Sequence, residues 1–251
     1  MIDLHSHILP GVDDGASSLG DSLEIARACV ADGIEVLAAT PHVRDDFPTT
    51  PETMERLVEE LRAALAEEEV PLDVRRGGEV AVDWLDRLPP ETLKRFGLGG
   101  NPAYLLVEFP YYGWPLSLPD RVFRLRSDGI TAVLAHPERS TEVQGEPERL
   151  RPLVEAGVLV QLTAASVDGR LGRGPAETAL ALIERGLAHM IASDAHSATV
   201  REAGLGAAVK AVGDGALGEW LAADVPRAIL DGEPLPPRPV PVRRRRRLFR
   251  R

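Results

Sequence analysis

Seven short apolar, β-branched runs, each followed by a stretch of helical periodicity, constrain the fold of this chain more than any other feature. They are Ile2 to His7, Glu35 to His42, Val74 to Val82, Ala103 to Phe109, Thr131 to His136, Val158 to Ala164 and His189 to Asp194. Their starts lie roughly 30 residues apart, the length of one βα unit. Near-continuous apolar strands alternating with helices predict a parallel sheet covered on both faces or rolled into a barrel. The clearest helical segment follows Thr50, a capping residue, and Pro51, suited to a first helical position; Met54, Leu57, Val58, Leu61 and Leu65 then recur at three- and four-residue steps. Further helices are predicted over Ser18 to Asp32, Pro119 to Ser127, Pro147 to Ala156, Pro175 to Arg185 and Arg201 to Val212. Gly33, Gly129, Gly157 and Gly186 fit helix ends.

Polar residues at the strand ends separate the two sheet types. His5 and His7 close the first run and His42 the second; Glu79 lies in the third and Glu108 in the fourth; His136 ends the fifth, and Asp194 with His196 ends the seventh. An open doubly wound sheet places its ligand at one switch point, whereas a (β/α) barrel gathers chemistry from many strand ends around its rim. Only a closed or nearly closed ring brings all of these residues together, so a barrel is expected.

These residues suit a metal cluster. In His5-Ser6-His7 two imidazoles one residue apart point to the same face of a strand and can grip one ion, and Asp194-Ala195-His196 repeats the spacing with a carboxylate. Glu79 and Glu108 interrupt apolar runs, and a buried carboxylate requires a cation or strong hydrogen bonds. Mixed imidazole and carboxylate donors suit Zn²⁺, Mn²⁺ or Fe²⁺. Asp13 and Asp14, in the loop just after His7, offer a further acid, and the chemistry of the two residues leaves the choice between them open. His189 stands at a strand beginning, on the opposite rim, and reads as structural. Arg139 and Arg201, near His136 and His196, are placed to bind phosphate oxygens or to form surface ion pairs.

Composition narrows the function classes. The net charge is −10 although Arg243 to Arg247, Arg250 and Arg251 crowd the last nine residues, so the body is more acidic still. That balance argues against a nucleic-acid partner, whose phosphates are met by Lys and Arg. No run of roughly 20 apolar residues is present, and a cytoplasmic protein is expected. The single cysteine, Cys29, excludes an internal disulfide. It has no arginine just downstream, as a cysteine phosphatase needs, and reads as core. From about Gly232 the chain becomes proline-rich and then basic, so a domain over 1–232 and a linker with a disordered basic tail over 233–251 are expected.

Asp3-Leu4-His5-Ser6-His7, Asp13-Asp14-Gly15, Thr40-Pro41-His42, Gly78-Glu79, Val107-Glu108-Phe109-Pro110, His136-Pro137-Glu138-Arg139 and Ser193-Asp194-Ala195-His196 together resemble the polymerase and histidinol phosphatase (PHP) superfamily. Within it the chain looks most like the bacterial manganese-dependent tyrosine-protein phosphatases of capsular and exopolysaccharide synthesis, matching in order from about residue 1 to 232. The resemblance implies a distorted (β/α)7 TIM-like barrel with three divalent ions, described as Mn²⁺ with Fe or Zn as alternatives. It implies that His5, His7, Glu79 and Asp194 hold one ion, Glu79, Glu108 and His136 a second, and Asp14, His42 and His196 the third. Arg139 and Arg201 fall where the family has phosphate-binding arginines.

The implied reaction is hydrolysis of phosphotyrosine by a metal-bridging hydroxide, with no covalent enzyme intermediate. The implied substrate is the tail of a membrane-associated tyrosine autokinase. The arginine run then suggests contact with an anionic membrane and a peripheral location at its inner face; a homo-oligomer is compatible with the sequence. The alternatives are a small-molecule phosphomonoesterase such as a histidinol-phosphatase, a nuclease of the same superfamily, and a non-catalytic barrel that binds a membrane or partner.

Overall fold

Parallel pairing joins every strand, and the breaks between strands decide which residues reach the site. The computed structural model describes residues 1–197 and 203–240. The chain runs β1 (Ile2–Ser6), α1 (Leu19–Ala31), β2 (Val36–Ala39), β3 (His42–Val43), α2 (Pro51–Glu67), β4 (Asp73–Arg76), β5 (Glu79–Ala81), α3 (Pro90–Arg95) and β6 (Tyr104–Glu108). It continues with α4 (Leu118–Ser127), β7 (Thr131–Ala135), α5 (Thr141–Gly145), α6 (Arg151–Glu155), β8 (Leu159–Thr163), α7 (Ala164–Val167), α8 (Arg173–Glu184) and β9 (Met190–Ala192). Three helices close it, α9 (Gly206–Val212), α10 (Gly215–Glu219) and α11 (Val225–Asp231).

The strands form two parallel sheets, β1-β2-β4 and β3-β5-β6-β7-β8-β9. The seven predicted runs therefore become nine strands among the described residues, because two of the runs break. Glu35 to His42 divides at Thr40-Pro41, where proline has no N–H for a ladder. Val74 to Val82 divides at Gly77-Gly78, where a Cβ on Gly78 would press into the ring of Phe96. The sheets touch again where Ser6 bridges Ala195 in parallel, with the Asp194 N–H donating to the His5 carbonyl at 2.9 Å and the His7 N–H to the Ala195 carbonyl at 2.8 Å. Where the sequence points to a closed or nearly closed ring, the hydrogen-bonded ladder is not closed: it is an α/β arrangement of two parallel sheets in contact.

Burial follows this layout. All of β1 and β8 is buried, as parallel strands covered on both faces require. The edge strand β4 instead exposes Asp73, Arg75 and Arg76, charges that discourage pairing with another chain. Ser18 caps α1 in a reciprocal box with Asp21, and the helix buries Ile25, Ala26 and Cys29. Burial pushes the Cys29 thiol far above its usual range, so it is a core residue. Thr50 caps α2, which buries Met54, Leu57, Val58, Leu61 and Leu65 as predicted. Two helices are shorter than expected. Pro147 to Ala156 resolves into a 3-10 turn followed by α6, and α9 begins only at Gly206, where the Asp32 carboxylate accepts the Leu205 and Gly206 N–H groups.

Residues 233–240 carry no helix or strand, yet they are tied to the body. The Trp220 indole donates to the Pro236 carbonyl at 3.0 Å, and Arg238 donates to the carbonyls of Ala188 (2.9 Å) and Ile183 (2.6 Å) beneath the start of β9. The arginines from 243 onward lie outside the described residues. His189, at the same rim, accepts the Val160 N–H at 3.1 Å, a structural role as expected.

Burial, reinforced by the Arg238 charge, pushes His189 down to about 4, against about 6.5 in an unfolded chain. Between those values the unfolded chain binds the additional proton. The stability that His189 contributes is therefore full above pH about 6.5 and is lost as pH falls toward about 4. Each pK unit is worth about 1.4 kcal/mol, and discounting for partial exposure leaves about 2 kcal/mol. His189→Gln keeps an acceptor for Val160 and should abolish that loss in urea denaturation between pH 7 and pH 4; parallel pH curves for the two proteins would contradict this.

Candidate metal centre

On β1, His5 and His7 turn the same way, and their Nε2 atoms stand 3.2 Å apart. The other ring nitrogen of each has an acceptor. His5 Nδ1 donates to Gln161 Oε1 at 2.9 Å, and His7 Nδ1 to Asp13 Oδ2 at 2.7 Å. These acceptors fix the tautomer in which both Nε2 lone pairs face inward, the arrangement a metal-ligating histidine needs. Asp13 also accepts the His42 N–H at 3.0 Å and the Gly15 N–H at 3.0 Å. The loop lies this close to His7 because residue 15 has no side chain: a Cβ on Gly15 would collide with the backbone and Cβ of His7. Asp14 points the other way, with Oδ1 at 3.4 Å from His42 Nε2 and 3.3 Å from His196 Nε2. The two adjacent acids thus take different positions, Asp13 behind the imidazoles and Asp14 among their free nitrogens.

Glu79 occupies the middle. Register places it directly opposite His42 on β3 and beside Leu106 on β6. Its Oε2 is 3.0 Å from His42 Nδ1 and 3.4 Å from both His5 Nε2 and His7 Nε2, while Oε1 lies 2.9 Å from His136 Nε2. Glu108, at the end of β6, has Oε2 3.8 Å from His42 Nδ1 and Oε1 accepting from Arg44 Nη1 at 2.7 Å. Asp194 Oδ1 lies 3.4 Å from His5 Nε2 and 3.3 Å from His7 Nε2, and its Oδ2 accepts from Arg139 Nη1 at 2.7 Å. His136 and Asp194 both hold left-handed backbone, with φ of 39° and 55°. Such strain in non-glycine residues persists where the surroundings over-determine it and clusters at functional sites.

The donor atoms fall into four overlapping groups: His7, Asp14, His42 and His196; His5, Glu79 and His136; His5, His7 and Asp194; and His42, Glu79 and Glu108. All nine residues singled out in the sequence as metal ligands are brought together. The grouping differs in detail from the expected sets, since His136 sits with His5 and Glu108 with His42 around the shared Glu79. Arg139 stands beside the cluster. Arg201 lies outside the described residues.

The residues present fit divalent cations. Glu79 Oε2, fully buried, receives no hydrogen bond although three imidazole nitrogens surround it, and the buried Nδ1 of His42 likewise has no hydrogen-bond partner. Without positive charge this arrangement sets lone pairs against one another. The proton affinities show the same demand. Burial disfavours the charged forms of His7 and His42, yet contact with Asp13, Asp194, Asp14 and Glu79 raises His7 well above its usual range and His42 to about 9. Burial likewise opposes ionisation of Glu79 and Asp194, and the imidazoles nevertheless hold both below the carboxylate range. Glu108 is raised by burial and then by the charge of Glu79. An array that pulls protons onto histidines favours a cation there, and a cation displaces those protons.

Several participants were missed in the sequence. Gln161 interrupts the apolar run Val158 to Ala164 as Glu79 interrupts its own, a signal that could have found it. Asp3, buried between Ile2 and Leu4 and pushed up to about 6 chiefly by burial, accepts the N–H groups of His5 and Ser193 and ties β1 to the end of β9. Arg44 and Tyr111 carried no such signal. Tyr111 stacks on His136, with ring centroids 5.7 Å apart.

The family model for capsular polysaccharide synthesis, CpsB/CapC, matches residues 1–225. The chain belongs to the CpsB/CapC family. It is 37% identical over 203 residues to the tyrosine-protein phosphatase YwqE of Bacillus subtilis, covering 80% of this chain and 79% of that protein. It is 31% identical over 204 residues to the putative tyrosine-protein phosphatase CapC of Staphylococcus aureus, covering 80% and 79%. A chain from the crystal structures of YwqE and of CpsB from Streptococcus pneumoniae, described as unique metal-dependent tyrosine phosphatases, superposes with a TM-score of 0.87 at 32% identity, covering 96% of this chain and all of that one. The fold is therefore that of a family with metal-dependent members.

Ligand linkage gives a direct test. Adding Mn²⁺ to chelator-stripped protein at 100 times its dissociation constant should raise the unfolding free energy by about 2.7 kcal/mol for each site filled. Glu79→Gln, which alters a donor shared by two groups, should lose most of that gain; a full gain in the variant would contradict the assignment of Glu79 as a ligand.

Proposed function

We propose that the chain is a metal-dependent phosphatase that removes phosphoryl groups from phosphotyrosine in proteins, its substrate being a membrane-associated tyrosine kinase of capsular polysaccharide synthesis. The observation that carries this reading is the junction at Asp194, whose carboxylate meets the imidazoles of His5 and His7 through one oxygen and the Arg139 guanidinium through the other. A cation cluster and an oxyanion binder thus share one side chain. The likeness to YwqE and CapC supports the substrate class.

In this proposal His5, His7, Asp14, His42, Glu79, Glu108, His136, Asp194 and His196 hold three divalent ions, Mn²⁺ or else Fe or Zn. Bound cations of this kind supply an acidified water and neutralise charge on phosphoryl oxygens. The chain's own groups do the rest. Asp13 and Gln161 hold the tautomers of His7 and His5. Arg139 uses one N–H on Asp194 and keeps other donors of its planar fork for phosphate oxygens; Arg201, outside the described residues, is assigned the same task. Cys29 is buried with a raised thiol and supplies no thiolate nucleophile.

The two sheets are read as a distorted (β/α)7 barrel of the PHP type spanning 1–232. The segment 233–251 is read as an appendage whose arginines favour an anionic membrane surface from the cytoplasmic side. No helix among the described residues is long and apolar enough to cross a membrane.

With Mn²⁺ supplied, the protein should turn over a phosphotyrosine peptide in preference to histidinol phosphate, and Asp194→Ala should lower kcat/KM at least about 100-fold, a loss of about 2.7 kcal/mol of transition-state stabilisation. A strong preference for histidinol phosphate, or activity that survives complete removal of metal, would overturn the reading.

A further inference from the structure

A cleft of about 300 Å³ opens beside the metal centre, lined by Tyr111, Tyr112, Arg139, Thr141, Leu171 and Pro175. It shares Arg139 with the centre, since the guanidinium that donates to Asp194 also lies 4.7 Å over the Tyr111 ring. One wall is aromatic, from the segment after β6, and the other is apolar, Leu171 from the segment between α7 and α8 and Pro175 from the first turn of α8. The aromatic wall is built in advance. The Thr141 N–H donates to the Tyr111 carbonyl at 3.0 Å, and the Gly113 N–H donates to Glu142 Oε1 at 2.8 Å, which fastens the Pro110–Gly113 turn to the start of α5. Among the described residues that line the cleft, Arg139 is the one charged side chain.

We infer that this cleft is an aryl subsite, which takes the ring of an aryl phosphate between Tyr111–Tyr112 and Leu171–Pro175 while the phosphoryl group meets Arg139. This inference rests on the phosphatase reading and adds to it the structural source of a preference for tyrosine over serine esters. Aromatic rings pair favourably in offset or edge-to-face contact beyond the area they bury. A pocket at the small end of the ligand-binding range has room for one aromatic ring. A phosphoserine has no ring and leaves both walls bare. Tyr112 decides the test because it is 81% exposed, so replacing it leaves the core intact.

The experiment compares metal-loaded wild type, Tyr112→Ala and Tyr112→Phe on matched phosphotyrosine and phosphoserine peptides. The ratio of kcat/KM for aryl over alkyl ester should fall about tenfold in Y112A through a higher KM for the aryl ester, and Y112F should restore it. An unchanged ratio in Y112A would overturn the aryl subsite while leaving the phosphatase reading intact. Should the wild type hydrolyse neither peptide, the phosphatase reading fails and calorimetry decides the cleft by itself. Phenylphosphonate should then bind the wild type about tenfold more tightly than methylphosphonate, an advantage lost in Y112A; equal affinities for the wild type would overturn the proposal.

Discussion

Glu79 is a carboxylate without solvent exposure, held among four imidazoles, and much of the architecture follows from the need to compensate it. A buried charge left alone would cost several kcal/mol. The chain answers by drawing positive charge to the same point, from protonated histidines in the protein alone and from cations once these bind. That demand explains why imidazoles from β1, β3 and the end of β7 converge on one side chain of β5. It also explains why the acceptors Asp13 and Gln161 stand behind the rings of His7 and His5: each fixes which nitrogen faces Glu79.

The strand breaks serve the same centre. At Thr40-Pro41 the chain leaves β2 and re-enters the second sheet as β3, which sets His42 in register with Glu79. At Gly77-Gly78 it passes against Phe96 and re-enters as β5. The left-handed residues His136 and Asp194 turn the chain as it leaves the strand ends and aim their side chains inward. Among the described residues, two of the three non-glycine residues with left-handed backbone and both strand breaks lie where a donor must reach the cluster, as expected where function rather than stability sets the backbone.

Much of this centre was legible in the sequence, for physical reasons. Two-residue spacing in His5-Ser6-His7 fixes a common strand face, and carboxylates in apolar runs marked Glu79 and Glu108. Asp3, a carboxylate, and Gln161, an amide, interrupt apolar runs in the same way. The assignment of Asp13 and Asp14 was not legible from spacing, because it depends on how closely the loop at Gly15 packs on His7. Arg44 follows no periodicity that would separate it from a surface arginine, yet it holds Glu108. Seven runs were readable and the division into two sheets was not, although Pro41 and the paired glycines stood at the breaks. The proline-rich stretch after Gly232 has the composition of a free linker, and only the tertiary placement of the Ala188 and Ile183 carbonyls shows that Arg238 anchors it.

Anomalous diffraction from crystals grown with Mn²⁺ tests most directly whether shared cations stabilise Glu79. Separate manganese peaks are expected on the two sides of the Glu79 carboxylate, one shared with His5 or His136 and another with His42 or Glu108. Manganese bound only at sites that leave both Glu79 oxygens uncoordinated would contradict it.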